Sequence, residues 1–315
     1  MFEDFNTLIL LVGENPLINV VTTEYFLTIN TSLKTVVLVH SEVNFRNKSN
    51  TKKYADNIEH LLKSRHGDKL SIEKVHLSDV SNAERIFLDL KRQLGDILIP
   101  SSLVRLDYTG GTKTMGIHVY RWLERYAESH DIRVSFSYLD ARNFYIIGDG
   151  GEVSEDLRER VSLNIEEIIA LHGFNKRKNN SKNKNNIEVV EKLREIIKDR
   201  INDYLSSTDW EIEAKPSKYE FDYEFMIDAI LVNGFQLIGI RYVSSDDETL
   251  CKGKGFEILA RTRQIGGQGS RAILVTNLKE QQKVKLQLEF EAETDGNILV
   301  LNDLDQSLIE DFIDN

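Results

Sequence analysis

Apolar residues follow two alternating rhythms through the first half of the chain. Short runs at Leu8–Val12, Val36–Val39, Ile72–Leu77, Leu103–Leu106 and Val134–Tyr138 have the length of strands. Between them, Leu17–Thr28, Tyr54–Lys63, Asn82–Leu94 and Met115–Tyr126 carry apolar residues at helical spacing. Strand and helix taken in turn predict an α/β fold, a parallel sheet with helices on both faces. Asn143–Gly148 reads as a closing strand before the Gly150-Gly151 turn. Sheets of this kind bind ligands beyond the carboxyl ends of their strands. Three polar loops fall at that edge: Gly13-Glu14-Asn15-Pro16, the residues from Ser41, and Thr109–Lys113.

The pattern then changes. Leu157–Leu171 reads as a helix, and Asn175–Asn186 contains only Asn, Lys, Arg and Ser, the composition of a solvated loop. Its basic residues suit contact with a phosphate backbone as well as a plain connector. From Ile187 a helix (Val189–Asn202), a strand (Trp210–Ala214) and a hairpin follow, with arms Phe225–Val232 and Phe235–Val243. Asn233-Gly234 between the arms is a two-residue turn signal. A helix (Gly255–Ile265), a strand (Arg271–Thr276) and a shorter final unit complete the chain. The expected division is a ligand-sensing domain at 1–152, a connecting helix and flexible basic linker at 153–186, and a second α/β domain at 187–315.

A length of 315 residues suits two domains, and 41% hydrophobic with 29% charged residues suits a globular protein. No apolar run approaches the ~18 residues of a membrane span. The acidic start Met1-Phe2-Glu3-Asp4 does not read as a signal peptide, and Cys251 is the only cysteine, so a cytoplasmic setting without a disulfide framework is expected. A net charge of −11 argues against coating nucleic acid broadly and confines phosphate contacts to a local site.

One loop supplies such a site. In Asp107-Tyr108-Thr109-Gly110-Gly111-Thr112-Lys113 a strand ends in paired glycines, two threonines and a lysine at a helix start. Glycines let the backbone approach a ligand closely, and a helix N-terminus offers unpaired N–H groups and partial positive charge. Thr109 and Thr112 can donate hydroxyls, and Lys113 adds a full charge. The spacing is neither a Walker A loop nor GxGxxG, and the same composition occurs in plain connectors.

Both halves resemble one family. Leu11-Val12-Gly13-Glu14-Asn15-Pro16-Leu17, Ser41 and Thr109-Gly110-Gly111-Thr112-Lys113 resemble the CRISPR-associated Rossmann-fold (CARF) domain. The segment Leu163–Gly173 resembles the interdomain helix of proteins that join CARF to a PD-(D/E)xK restriction-endonuclease-like domain. In the second half, Ile227-Asp228-Ala229-Ile230-Leu231 and Gly266-Gly267 before Arg271–Thr276 carry the likeness. The resemblance implies a homodimeric effector of type III CRISPR antiviral defence whose paired CARF domains bind a cyclic oligoadenylate, most often the tetra-adenylate. It implies that Thr109–Lys113 hold ribose and phosphate. Gly13, Glu14, Asn15, Pro16 and Ser41 would line the base and ribose side, with Glu14 at an adenine edge or in a backbone-capping role.

The nuclease pattern breaks in this chain. Such a site needs a carboxylate on one hairpin strand and Glu-x-Lys on the next, to bind a divalent metal and orient water. Asp228 stands at the first position, but Gln236–Ser244 gives no Glu-x-Lys in any register. The register that fits the apolar pattern puts Arg241 at the glutamate and Val243 at the lysine. An Asp228–Arg241 pair is therefore expected in place of a metal site. Lys252 or Lys254 as a migrated amine, with Asp246, Asp247 and Glu248 as carboxylates, keeps an active arrangement open. The expected function is a cyclic-oligoadenylate sensor whose nuclease-like domain has lost metal-dependent cutting and acts on a nucleic-acid or protein partner. The alternatives are a ligand-stimulated endonuclease using manganese or magnesium at Asp228, and cleavage of the ring in the CARF cleft itself. No other cofactor is expected.

Overall fold

The computed structural model describes residues 2–42, 50–178, 192, 195–196, 198, 201–206, 210–214, 227–302 and 305–314. The chain divides into two compact units, Met1–Val161 and Ser162–Asn315.

The first unit runs β1 (Thr7–Leu11), α1 (Pro16–Ile29), β2 (Thr35–Ser41), α2 (Lys52–His66), β3 (Ser71–Leu77), α3 (Ala83–Leu94), β4 (Leu103–Asp107), α4 (Lys113–His130), β5 (Arg133–Asp140), β6 (Tyr145–Gly148) and α5 (Leu157–Arg160). The sheet order is β3-β2-β1-β4-β5-β6. All neighbours are parallel except β6, which closes antiparallel on β5. This is the helix-covered, mainly parallel α/β sheet that the alternating pattern predicts, in the Rossmann-like form that the resemblance implies. Leu8, Ile9, Leu10 and Leu11 are all fully buried, because helices cover both faces of β1. On one face Ile9, Leu11, Val37, Val39 and Leu106 pack with Ile86 and Leu90 of α3 and Val119, Trp122 and Leu123 of α4. Each such apolar side chain contributes roughly 1.5–3 kcal/mol on burial. On the opposite side α1 packs on α2.

That order fixes where a ligand can sit. The connection after β1 leads to β2 on one side, whereas β4 lies on the other side of β1. The carboxyl ends of β1 and β4 thus flank the point where the strand order reverses, the crevice of open α/β sheets.

The expected helix Leu157–Leu171 is broken into α5 and, in the second unit, α6 (Ile165–Leu171). Val161 is extended and buried, and Asn164 starts a new helix through a capping box with Glu167. The second unit continues with β7 (Phe174–Lys178), β8 (Asp203–Ser206), β9 (Trp210–Ala214), β10 (Ala229–Asn233), β11 (Gln236–Val243), α7 (Glu248–Gly266), β12 (Arg271–Thr276), α8 (Glu280–Thr294), β13 (Ile298–Leu301) and α9 (Gln306–Asp314). Its main sheet is ordered β13-β12-β11-β10-β8. β11, β12 and β13 are parallel, while β10 runs antiparallel to both its neighbours. Leu231, Ile238, Ile240 and Ile273 form a core with Ile309, Phe312 and Ile313 of α9.

Several local expectations differ from what forms. Trp210–Ala214 is a strand, but it pairs with β7 as a separate ribbon, and Asp203–Ser206 holds the sheet edge beside β10. A Glu-Ile-Glu alternation offers one apolar position, Ile212, which suits a ribbon rather than a strand buried on both faces. Residues 175–178, polar enough to read as loop, are the other arm of that ribbon, and 179–186 lie outside the described residues. The Val189–Asn202 helix also falls largely outside them, as do Phe225 and Met226. In the hairpin Asn233 pairs with Gln236, so the loop residues are Gly234 and Phe235. Gly234 has φ 63° and Phe235 does not share a positive φ, the pattern of a II′ turn rather than Asn-Gly I′. Helix α7 begins earlier than its apolar pattern, because Asp247 caps the Thr249 and Leu250 amides at 2.8 and 3.2 Å.

Candidate functional site

The loops after β1 and β4 touch through their backbones. A Cβ on Gly110 would stand 1.8 Å from the Leu11 carbonyl oxygen, and one on Gly13 would stand 2.9 Å from the Gly111 amide nitrogen. Gly111 has φ 73°, in the left-handed region where a side chain is strained. The paired glycines therefore let the two loops close on each other at the switch point. Asn19 braces the arrangement from α1, its Nδ2 donating to Leu11 O at 3.0 Å.

Each helix flanking the crevice starts at the loop it follows. Pro16 is the first residue of α1, where its missing N–H costs nothing, and Asn15 is the N-cap without a side-chain cap bond. Lys113 is the first residue of α4, and Thr112 caps it by accepting the Met115 amide at 3.2 Å. That bond uses an oxygen lone pair of Thr112 and leaves its hydroxyl proton available. Thr112, Lys113 and Glu14 are exposed, and among the described residues no carboxylate pairs with Lys113. The helix end adds partial positive charge beside that amine.

Thr109 behaves differently from the expectation that it donates to a ligand. Its hydroxyl donates to Asp107 Oδ1 at 2.6 Å and accepts the Leu139 amide at 2.6 Å. Its backbone amide also reaches Asp107 Oδ1, at 3.1 Å. Ser137 Oγ donates to the other oxygen of Asp107 at 3.1 Å. Asp107 is buried, and burial pushes its carboxyl pKa up to about 6 against the pull of these donors. Thr109 is thus a brace between β4 and β5, and Asp107 sets the path of the loop. The sequence places Asp107 at the head of the motif, after the Leu103–Leu106 run, whereas it is the last residue of β4, and no sequence signal marks Thr109 as its partner.

Ser41 ends β2 at the same edge and is buried. Its amide donates to Thr51 Oγ1 at 3.0 Å, and the two hydroxyls stand 3.3 Å apart. Thr51, N-cap of α2, has no motif around it and was missed by sequence reasoning. Tyr108 and Tyr120 donate to the two oxygens of Asp149 at 3.0 and 3.2 Å. Burial and that carboxylate push the Tyr108 pKa well up.

In the second unit the structure brings Asp228 and Arg241 together, one step beyond the Ala229–Ile240 pair of the hairpin. Asp228 Oδ1 lies 3.7 Å from Arg241 Nη1, and Asp228 Oδ2 accepts the Tyr242 amide at 2.7 Å. Lys252 Nζ is bonded to Glu289 and Glu293 of α8, each at 2.9 Å, and Lys254 Nζ to Glu257 at 2.7 Å. Among the described residues no three of His, Cys, Asp and Glu gather as a metal-holding group, and no helix is long and apolar enough to cross a membrane.

Residues 7–167 match the family model of the Card1 CARF domain. No curated protein sequence matches the chain. Among solved structures, protein VC1899 from Vibrio cholerae is similar at TM-score 0.66 and 10% identity, over 98% of this chain and 96% of that one. Can2 from Sulfobacillus thermosulfidooxidans, in complex with cyclic tetra-adenylate, is similar at TM-score 0.59 and 12% identity, over 98% and 96%. A type III CRISPR defence DNA nuclease activated by cyclic oligoadenylate is similar at TM-score 0.52 and 14% identity, over 88% of this chain and 46% of that chain.

Proposed function

The chain belongs to the Card1 CARF domain family, and we propose that it senses a cyclic oligoadenylate, best the cyclic tetra-adenylate, in type III CRISPR defence. The observation that carries this is the exposed Thr112–Lys113 start of α4, set at the switch point by the interlocked glycine loops. A phosphate at this helix start would meet free backbone N–H groups, the Thr112 hydroxyl proton and the Lys113 amine. Can2 is similar in fold and is in complex with cyclic tetra-adenylate, and the similar type III CRISPR defence nuclease is activated by cyclic oligoadenylate. A two-fold ring suits a homodimer, since each copy reads half of it.

The second unit reads as a restriction-endonuclease-like domain that no longer cuts. Asp228, where a PD-(D/E)xK site needs its first carboxylate, faces a guanidinium and accepts a strand amide. A divalent cation there would meet Arg241 at the place of its second carboxylate ligand, so the donor set does not fit one. Ligand binding would act by favouring one arrangement of the two units, which requires unequal affinity for the two states. The partner, nucleic acid or protein, would bind the second unit.

Two measurements test the reading. Isothermal titration with cyclic tetra-adenylate should give heat, and silence with the tri-, tetra- and hexa-adenylate rings would end the sensor assignment. Supercoiled plasmid and single strands incubated with ligand and manganese should stay intact. Cutting that is lost in Asp228→Ala would instead establish a working nuclease.

A further inference from the structure

We propose that Tyr138 is a stacking platform for one adenine base of the ring, on the β5 side of the loop. This rests on the cyclic-oligoadenylate reading and adds a subsite opposite the Gly13–Ser41 side.

Tyr138 is exposed (37%) on β5, and among the described residues its hydroxyl makes no hydrogen bond. Its neighbour Leu139 donates its amide to Thr109, so the residue is fastened to the β4–α4 loop. Its ring neighbours that of Tyr108, tilted by 30° at a centroid distance of 5.9 Å. Tyr108 is itself the residue before Thr109, and its hydroxyl is held by Asp149 together with that of Tyr120. Tyr120 stacks on Phe136 of β5 at 3.9 Å. Tyr108, Tyr120 and Phe136 thus form a packed aromatic cluster tied together through Asp149, and Tyr138 adds a solvent-exposed ring to it, on the strand whose Leu139 amide is bonded to Thr109. Each nucleotide of a cyclic oligoadenylate carries an adenine next to the phosphates that the loop would hold. Purines are large stacking partners, and an aromatic ring ordered in advance stacks them at little entropic cost.

The test uses the full chain with cyclic tetra-adenylate carrying one 2-aminopurine. Binding to wild type should quench the fluorophore. Tyr138→Ala should weaken affinity by about tenfold, the low to middle range for loss of one aromatic stack, and should abolish the quenching. Tyr138→Phe should restore both, since stacking needs the ring and not the hydroxyl. Unchanged affinity and quenching in Tyr138→Ala would overturn the assignment. So would a loss of affinity accompanied by loss of the dimer in light scattering, which would make Tyr138 a contact between copies. If wild type binds no ring at all, the sensor reading has failed rather than this subsite alone.

Discussion

Asp107 in the first unit and Asp228 in the second are both buried, and both accept a backbone amide from a neighbouring stretch of chain. Around Asp107 the remaining hydrogen-bond donors are hydroxyls, from Thr109 and Ser137, and the buried Arg105 acts on it only through its charge, as the least of the influences on its pKa. Around Asp228 the partner is a cation, Arg241. The difference decides what is left for a ligand. Asp107 takes its hydrogen bonds from neutral donors, and Lys113 at the start of α4 is exposed with no carboxylate partner among the described residues. With Asp228 matched to Arg241, charge is neutralised inside the hairpin and neither group is offered outward. A buried carboxylate can thus either shape a binding loop or close a site, according to whether its partner is neutral or charged.

The strongest way to break this comparison is to disturb the loop itself. Gly110→Ala places a methyl 1.8 Å from a backbone oxygen, so the β1 and β4 loops must separate. Ligand binding should fall at least ~100-fold, and a melting curve should show a loss of roughly 1–3 kcal/mol, the usual range for overpacking. Lys113→Ala should weaken the ligand by about 1.5–3 kcal/mol, as for a lost charged hydrogen bond, with no change in melting. An unchanged affinity on titration would remove Lys113 from the site.

Asp228→Ala should destabilise by roughly 1–3 kcal/mol, because it strands the Tyr242 amide and a half-buried guanidinium. Ligand affinity should be unaltered. Pairing it with Arg241→Met should recover part of the loss in chemical denaturation, since the uncompensated charge is then gone. Two additive losses would show that the pair does not interact.

Asp107 gives the effect whose sign is clearest. Its carboxyl pKa is raised from 3.8 to about 6, so the fold binds its proton more tightly than the unfolded chain does. The resulting stabilisation is full below the unfolded value and is lost as pH rises through about 6. Thermal melts across that window should show this fall in wild type and a flatter profile in Asp107→Asn. Identical profiles would show that Asp107 does not titrate there.

The fold was legible where both periodicities were clean. The runs at Leu8–Val12 and Val36–Val39 are buried on two faces and could hardly be anything but parallel strands. Legibility failed where an element is short or one-sided. Asp203–Ser206 offers only four residues, and the Trp210–Ala214 strand finds a partner in a polar stretch that composition alone marks as loop. At the site, loop positions and the Asp228–Arg241 pairing followed from spacing and register. The division between Thr109 as a brace and Thr112 as the free hydroxyl did not, because it depends on where Leu139 and Ser137 fall across β5. Tyr108 after β4, Tyr120 in α4 and Asp149 after β6 are far apart in the chain and form no linear pattern.

The most direct test of the account is native mass spectrometry of the full chain with cyclic tetra-adenylate. The account predicts a species of two chains holding one ring, strongly reduced in Lys113→Ala. Two chains that hold no ring, with the tri- and hexa-adenylate as well as the tetra-adenylate, would contradict it.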